Sequence, residues 1–311
     1  NKCLKLKKAL PGRCCPIVFK STDKNRWIES VGRLLFNNST NPQNSESNGM
    51  QNSATSSVAR PFAVSPEMAP FLPELMTDLN TLGVPAYAIV QLLRSLRLTP
   101  EFTRVLDLGC GKGVVACAVA EALNFSVLGV DALPVSIAAA SRLAAARGLS
   151  NICSFRCEDI RTTVANVDDY DVVMLLAVGS IWGSLEKTVA AIRHCLRPGG
   201  YMLIADAFWA TERDIADVSY ADHRHTLGQL TAYGDILLEE VLLSPAQMID
   251  LSPGTIRLIT QRAEKLAQLH PENANQLTQF VASLKQRVQF WHEQMKVAVW
   301  LMMKGVLIAD R

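Results

Sequence analysis

The stretch that most constrains the fold is Val105–Gly113, with the sequence Val-Leu-Asp-Leu-Gly-Cys-Gly-Lys-Gly. Its apolar residues are typical of a buried strand, and they lead into Gly109, Gly111 and Gly113. An alanine-rich apolar run of helical length follows at 114–120. This order predicts a strand, a tight turn and the beginning of a helix. Glycine allows unusual backbone angles in such a turn and lets a ligand approach the main chain.

Strand-like and helical segments alternate along the chain from Arg104 onward. Strands are predicted at 105–108, 126–130, 152–156, 170–176, 201–205, 236–243 and 296–303, and helices at 113–123, 134–147, 184–196 and 226–233. Apolar strands that alternate with helices predict an α/β fold, in which a mainly parallel sheet is covered by helices on both faces.

The remaining regions differ in composition. Residues 1–60 are basic and then rich in Asn and Ser, which predicts a disordered or non-native extension, with the natural protein starting at Met50. A basic arm that binds nucleic acid or a membrane is the alternative for this region. Residues 61–103 predict an N-terminal helical cap, with Ser65 as a helix N-cap and a second helix at 85–98. Residues 104–311 form the main domain, with a helical insertion predicted at 245–294.

Charge and composition exclude several classes of protein. Residues 1–49 hold nine Lys/Arg and three Asp/Glu, which leaves 22 basic and 26 acidic residues in the rest. A mildly acidic main domain argues against nucleic-acid binding. The apolar runs are shorter than the roughly 18 residues of a membrane span. The eight cysteines lack paired zinc-site spacing, and several lie in apolar runs, so we expect no metal, reduced thiols and a cytoplasmic location.

The glycine turn matches two common phosphate-binding patterns poorly. A P-loop requires Ser or Thr after the lysine, but Gly113 follows Lys112. A dinucleotide-binding turn requires glycine or alanine where this chain has Val114. An acidic residue, Asp107, precedes the first glycine and would repel a pyrophosphate. The turn therefore favours a ligand that carries a positive charge.

Two further acids follow neighbouring predicted strands. Asp131 ends the second strand, where a carboxylate can accept hydrogen bonds from a ribose diol. Asp159 follows the third strand, where its side chain can reach an exocyclic amine of a base. The carboxyl ends of parallel strands meet at one edge of a sheet, and ligands bind there. A cationic ligand with ribose and adenine but without phosphate is S-adenosylmethionine.

The ordered motifs resemble those of class I S-adenosylmethionine-dependent methyltransferases. They comprise 105–113, 129–131, 158–160, 171–178 and 196–204, and the resemblance covers about 104–243 plus the final strand. It implies a Rossmann-like seven-stranded sheet whose last strand is antiparallel. The cofactor-binding residues that it implies are Asp107, Gly109, Cys110, Gly111 and Gly113 for the methionine part, Asp131 and Ala132 for the ribose, Asp159 and Ile160 for the adenine, and Ala177 after the fourth strand.

The acceptor is less constrained than the cofactor. Methyltransferases that act on nucleic-acid amines often carry Asp/Asn-Pro-Pro-Tyr/Phe after the fourth strand, whereas this chain has Ala177-Val-Gly-Ser-Ile-Trp182. We therefore expect a small-molecule acceptor, at an O, N or C atom. Asp206, expected after strand five, and His223, expected in a linker, are candidate general bases, with capping and loop roles as the alternatives.

The insertion and the cap are predicted to form the acceptor pocket and its lid. The alternative role for these helices is to form a homodimer. Two functions remain open: an active small-molecule methyltransferase, and a non-catalytic cofactor-binding or scaffold protein on the same fold. A nicotinamide dehydrogenase is disfavoured by Val114.

Overall fold

A computed structural model of the 311-residue chain describes residues 68, 71–79, 83–179, 181–212, 220–244, 247 and 252–305. The predicted extension at 1–60 and the predicted N-cap Ser65 lie outside the described residues. The strands are β1 (Arg104–Leu108), β2 (Ser126–Asp131), β3 (Cys153–Cys157), β4 (Tyr170–Leu176), β5 (Leu196–Trp209), β6 (Ile236–Leu243) and β7 (Met295–Met303).

The helices alternate with the strands as the sequence predicts, and the structure adds a short helix, α5, that the sequence did not predict. They are α1 (Leu72–Leu75), α2 (Ala86–Ser95), α3 (Val114–Leu123), α4 (Pro134–Ala146), α5 (Ile160–Asn166), α6 (Leu185–Arg193), α7 (His223–Leu230), α8 (Pro253–Leu269) and α9 (Ala274–Gln294), with a 3₁₀ turn at Pro271–Asn273 between the last two. Side-chain caps fix several starts: Ser184 accepts from the Lys187 amide at 3.1 Å, and Ser252 accepts from the Thr255 amide at 3.1 Å.

The seven strands form one sheet in the order β3-β2-β1-β4-β5-β7-β6. The pairs of β1 with β2 and β4, of β2 with β3 and of β4 with β5 are parallel, whereas β7 runs antiparallel to both β5 and β6. The predicted fold class, a Rossmann-like sheet with an antiparallel last strand, is confirmed. This order places the ends of β1, β2 and β4 side by side at one edge.

Two hydrophobic cores cover the two faces of the sheet. One contains α5, α6 and α7, with Ile160, Ile192 and Leu230 as buried members. The other contains α2, α3, α8 and α9, Ala144 of α4, and Met68, Leu75, Leu79 and Val84. We call the described residues of 71–79 and 83–95, together with 253–294, the helical layer. Leu277 and Leu284 of α9 are fully buried in it.

Polar contacts join the two halves of the helical layer. The guanidinium of Arg262 in α8 binds the Asp78 carboxylate just after α1. The Phe71 ring lies edge-on to His270, with 5.6 Å between centroids. Gln247 donates to the Tyr87 hydroxyl at 2.9 Å. The cap and the insertion are therefore one layer of packing. Within the described residues, no helix has the length and apolarity needed to span a membrane.

Two of the predicted boundaries that are wrong bear on the candidate bases. Strand β5 continues past Ala205 to Trp209, because the whole of β7 pairs with this part of β5. The paired residues run from Met303 opposite Tyr201 to Met295 opposite Trp209. Helix α7 begins at His223 rather than near Thr226, because Asp222 caps it by accepting from the His225 amide at 3.0 Å.

Candidate functional site

The glycine turn joins β1 to α3 in a conformation that L-residues with side chains rarely adopt. Gly109, Gly111 and Gly113 have φ values of +76°, +52° and +74°. The amides of Gly109 and Cys110 both donate to the Val130 carbonyl, at 2.8 and 3.0 Å, which fixes the turn against the end of β2. Placing a residue other than glycine in the left-handed region destabilises the fold by about 1–2 kcal/mol. Three of the five positions from 109 to 113 therefore strongly favour glycine.

The three glycines have different surroundings. A Cβ on Gly109 would lie 2.5 Å from Val178, and one on Gly113 would lie 2.7 Å from both Ala140 and Phe155. Gly109 and Gly113 therefore allow close packing of the protein against itself. A Cβ on Gly111 would meet no heavy atom within 4 Å. Gly111 is thus the glycine of the turn that borders open space, where a ligand can approach the main chain.

Asp107 lies beneath the turn as an almost completely buried carboxyl group, with 2% of the residue exposed. It is inside β1 rather than at its end, opposite Gly129 of β2. Burial, and then the negative charge of Asp131, raise the pKa of Asp107 to about 7. A buried carboxyl group of this kind is stabilised as the carboxylate by a nearby cation. The site therefore suits a positively charged ligand, as the sequence predicts.

Asp131 connects the end of β2 to the turn. One carboxylate oxygen accepts from the Gly111 amide at 3.0 Å, and the other accepts from the Leu133 amide at 2.8 Å. Burial raises the pKa of this group, and the two backbone hydrogen bonds oppose the shift. Each carboxylate oxygen has a second lone pair, so Asp131 can still accept hydrogen bonds from hydroxyl groups. Ala132 follows it at the same edge and is half-buried.

Cys110 is held inside the turn. A Cβ added to Gly129 of β2 would lie only 2.9 Å from the Cys110 Sγ, so the thiol packs closely against that strand. Burial, and then the carboxylates of Asp107 and Asp131, raise the pKa of the Cys110 thiol well above its usual value. The group is therefore a neutral thiol that fills space, and its backbone is what the turn presents to a ligand.

Asp159 and Ile160 lie at the start of α5. Asp159 caps the helix by accepting from the Arg161 amide at 2.9 Å, and it also pairs with the Arg161 guanidinium. These hydrogen bonds lower the pKa of Asp159. The Ile160 side chain is buried in the core with 5% exposed, so contact with a ligand would have to come from its backbone. β3 ends at Cys157, two residues before Asp159.

Ala177 follows β4 in a left-handed conformation, with φ +58°. Its amide donates to the Ala205 carbonyl at 2.8 Å. A Cβ on Gly83 would lie 3.0 Å from the Ala177 side chain, so the helical layer reaches the end of β4 at this point. Val178, the next residue, lies against Gly109 of the turn. The chain after β4 therefore closes one side of the space at the turn.

The two candidate bases are placed differently from the prediction. Asp206 lies inside β5, opposite Ala298, and one of its oxygens accepts from the Ala207 amide at 2.8 Å. His223 is the first residue of α7, and its Nε2 lies 2.8 Å from the Glu240 carboxylate of β6. The His223 ring also packs against the Phe208 ring, tilted by 38°, with 4.9 Å between centroids. Phe208 belongs to the face of α5–α7, and side chains alternate along a strand, so Asp206 and His223 share that face, opposite the helical layer.

Lys112 has a role that sequence reasoning missed. Its Nζ lies within hydrogen-bonding distance of the carbonyl oxygens of Met76, Thr77 and Leu79, in the turn that follows α1. An ammonium group has three donors, which matches three carbonyl acceptors. Burial lowers the pKa of Lys112, and the nearby Asp78 opposes the shift. The glycine turn is thereby tied to the helical layer by its own lysine. The position of Lys112 between two glycines was the one sign of this role in the sequence. Its carbonyl partners lie more than 30 residues away along the chain, so the sequence did not reveal them.

Comparison with known proteins agrees with this geometry. A family model described as a methyltransferase domain matches residues 105–200, which contain the turn, Asp131 and Asp159. The uncharacterized protein YjhP of Escherichia coli (strain K12) is 34% identical over 116 residues, which are 37% of this chain and 46% of that protein. The chain thus spans about half the length of this curated relative.

Solved structures show the same fold. A methyltransferase from Geobacter sulfurreducens, crystallised with S-adenosyl-L-homocysteine, superposes with a TM-score of 0.66 at 21% identity, over 76% of this chain and 98% of that chain. The X-ray structure of YjhP from E. coli superposes with a TM-score of 0.65 at 21% identity, over 76% of this chain and 99% of that chain. Residues 105–200 of this chain thus match a methyltransferase domain, and its sheet has the fold of these solved structures.

Proposed function

We propose that this chain transfers a methyl group from S-adenosylmethionine to a small-molecule acceptor. The observation that carries the proposal is the buried carboxyl group of Asp107 beneath the open Gly111 backbone, at the edge where β1, β2 and β4 end. A buried acid with a pKa raised to about 7 is stabilised when a cation binds beside it. The cationic methionine part of the cofactor supplies such a charge.

The other site residues divide the remaining parts of the cofactor among them. Asp131 accepts hydrogen bonds from two backbone amides and keeps lone pairs that can accept from the ribose hydroxyls. Ala132 borders the same group. Asp159 and the backbone of Ile160 lie at the start of α5, where we place the adenine. Gly109, Cys110, Gly111 and Gly113 shape the turn, and Ala177 with Val178 closes its side.

When bound, S-adenosylmethionine supplies a methyl group that its sulfonium already activates. The protein then has to hold the acceptor atom in line with that methyl group and exclude water, and such positioning accounts for a large part of the rate. The helical layer is suited to this task. It reaches the turn through Lys112, the end of β4 through Gly83, and the end of β5 through Phe290, whose ring meets Trp209 edge-on at 5.7 Å.

This enclosure supports a small acceptor rather than a polymer. The cap and the insertion lie together over three neighbouring strand ends, and they are joined by the Arg262–Asp78 ion pair. A nucleic acid or protein chain would need an open groove at the same edge. We therefore propose that the helical layer forms the acceptor pocket and its lid.

Asp206 and His223 lie on the sheet face opposite the helical layer, so we propose them as proton acceptors only for an acceptor whose hydroxyl extends past the end of β5 to that face. The Glu240 carboxylate lies 2.8 Å from the His223 Nε2, and a carboxylate partner of this kind fixes the orientation of the imidazole ring. Replacing His223 by Asn should lower the rate of methyl transfer to a hydroxyl acceptor by about 100-fold, and it should leave the affinity for S-adenosylmethionine unchanged. An unchanged rate would remove His223 from the mechanism.

The test of the proposed function is release of S-adenosylhomocysteine. Purified protein is incubated with S-adenosylmethionine and a small-molecule metabolite extract, with the Asp107→Asn variant and boiled protein as controls. We expect release that depends on both the extract and native protein and that falls at least tenfold in the variant. Tight cofactor binding without any release would support the non-catalytic alternative instead.

A further inference from the structure

The insertion helix α9 ends directly beyond the carboxyl end of β5. The Ala210 amide, just after β5, donates to the carbonyl of Gln294, the last residue of α9, at 2.9 Å. The rings of Phe290 and Trp209 meet edge-on, and so do the rings of Trp291 and Tyr220, each pair with 5.7 Å between centroids. The last two turns of α9 therefore lie at the carboxyl end of β5, on the face of the sheet where we propose the acceptor pocket.

Trp291 has a buried polar atom that the fold does not satisfy. The residue is 6% exposed. Among the residues that the structure describes, the indole Nε1 of Trp291 has no hydrogen-bond acceptor. Leaving a buried donor without an acceptor costs about 1–3 kcal/mol. An atom of this kind inside a proposed substrate pocket indicates a ligand that accepts a hydrogen bond.

A cation lies one helical turn before this donor. Arg287 and Trp291 are four residues apart and so lie on the same face of α9. That face also carries Leu284 and Val288, which are buried in the core, and Arg287 itself is half-buried. Burial lowers the pKa of its guanidinium. Helical side chains lean toward the N-terminus, which brings the Trp291 indole over the turn that contains Arg287.

A charged and a neutral N–H donor that share one buried helix face match the two oxygens of an oxyanion. We propose that the methyl acceptor carries a carboxylate or a phosphate, which Arg287 and the Trp291 Nε1–H bind together. The assignment rests on the proposed methyltransferase function, and it names the chemical class of the substrate. The aromatic rings of Trp209 and Phe290 nearby provide an apolar surface for the rest of the acceptor.

The test compares anionic and neutral probes of one shape. Protein saturated with S-adenosylhomocysteine is titrated with phenylacetate, phenyl phosphate and the neutral phenylacetamide, and binding is followed by calorimetry and by tryptophan fluorescence. We expect at least one anion to bind about tenfold or more tightly than the amide, because a hydrogen bond to a charged group contributes about 1.5–3 kcal/mol. The two anions separate a carboxylate site from a phosphate site.

Variants show whether the named side chains produce this preference. Arg287→Gln should bring the ratio of anion to amide affinity close to one, Arg287→Lys should restore part of it, and Trp291→Phe should reduce it several-fold while keeping the ring. Arg257→Gln, at an exposed position of α8, is the matched control and should change nothing. General destabilisation would weaken all probes equally and would leave the ratio unchanged.

Each outcome has one meaning. Equal binding of anions and amide to the native protein, or a ratio that survives Arg287→Gln, overturns the oxyanion assignment while cofactor binding stands. Failure of S-adenosylhomocysteine itself to bind overturns the proposed function and the assignment with it.

Discussion

Asp107 is a buried carboxyl group whose environment favours the protonated form. Burial and the charge of Asp131 raise its pKa to about 7, from 3.8 for an ordinary aspartate. Binding of a cation favours the carboxylate, so binding below pH 7 must release a proton. We therefore expect the affinity for S-adenosylmethionine to rise between about pH 6 and pH 8 and then to level off. Calorimetry in buffers of different ionisation enthalpy measures both the affinity and the released proton.

The same pKa fixes the sign of the effect on stability. The folded state holds the Asp107 proton more tightly than the unfolded state, so the free energy of unfolding falls as the pH rises from about 4 to about 7. Asp107→Asn removes this titration. The variant should bind the cofactor roughly tenfold or more weakly, since a hydrogen bond to a charged group contributes about 1.5–3 kcal/mol, and it should be at least as stable as the native protein at pH 8. Affinity in the variant that still depends on pH would contradict this account of Asp107.

Gly111 and Gly113 form a matched pair for mutation. Gly113→Ala places a Cβ 2.7 Å from Ala140 and Phe155 at a φ of +74°, so it combines backbone strain of about 1–2 kcal/mol with overpacking of about 1–3 kcal/mol. Gly111→Ala has the strain alone, but its Cβ enters the open space. Urea denaturation should show the larger loss of stability for Gly113→Ala. For the same loss of stability, calorimetry should show a larger loss of affinity for S-adenosylmethionine in Gly111→Ala than in Gly113→Ala. The reverse order would mean that Gly111 does not border the ligand.

Sequence reasoning reached the residues of the turn but treated its glycines alike. The pattern of glycines and flanking acids is local, so it can be read directly from Val105–Gly113. The packing of Gly113 depends on Phe155 and Ala140, which belong to other elements. The carbonyl partners of Lys112 likewise come from the turn after α1. Contacts between distant segments have no local signature, which explains why these roles were missed.

At the scale of elements, Lys112 connects the turn to the helical layer. Lys112→Met removes the donor for three carbonyl groups while keeping a long apolar stem. We expect a lower midpoint of thermal unfolding, by a few degrees, and a cofactor affinity reduced several-fold, because the layer loses its hold on the turn. Scanning calorimetry with and without S-adenosylhomocysteine measures both effects. Lys187→Met, at an exposed position of α6, is the control. Equal behaviour of the two variants would refute the role of Lys112 in the site.

Strand ends were the hardest element boundaries to predict. The apolar run of β5 was expected to end before Asp206, because an acid usually marks a strand end. β7 pairs with β5 as far as Trp209 and keeps Asp206 inside the ladder, opposite Ala298. In contrast, β4 and β6 were predicted with their observed bounds, since turn residues flank both apolar runs. Periodicity thus located the seven strands but missed the short helix α5, while long-range pairing decided where β5 stops.

At the scale of the whole molecule, the insertion is part of the core as well as of the proposed pocket. Ile259, Leu277 and Leu284 are fully buried in the core on one face of the sheet. Deletion of 245–294 would expose that core, so substitutions on the pocket-facing side of α9 are the better probe of acceptor selectivity. The alternating pattern of strands and helices predicted a mainly parallel sheet, and the resemblance to class I methyltransferases implied the antiparallel last strand, but the sheet order was not predicted. The joining of cap and insertion through Asp78 and Arg262 was not predictable, because the two residues are 184 positions apart.

Isothermal titration calorimetry with S-adenosylmethionine tests the central claim most directly. The native protein should give a one-site isotherm, Asp131→Asn should bind about tenfold more weakly, and Glu186→Gln, at an exposed position of α6, should bind as the native protein does. NAD should give no heat of binding. Absence of binding to S-adenosylmethionine, or binding of NAD in its place, would contradict the assignment of the glycine turn to a sulfonium cofactor.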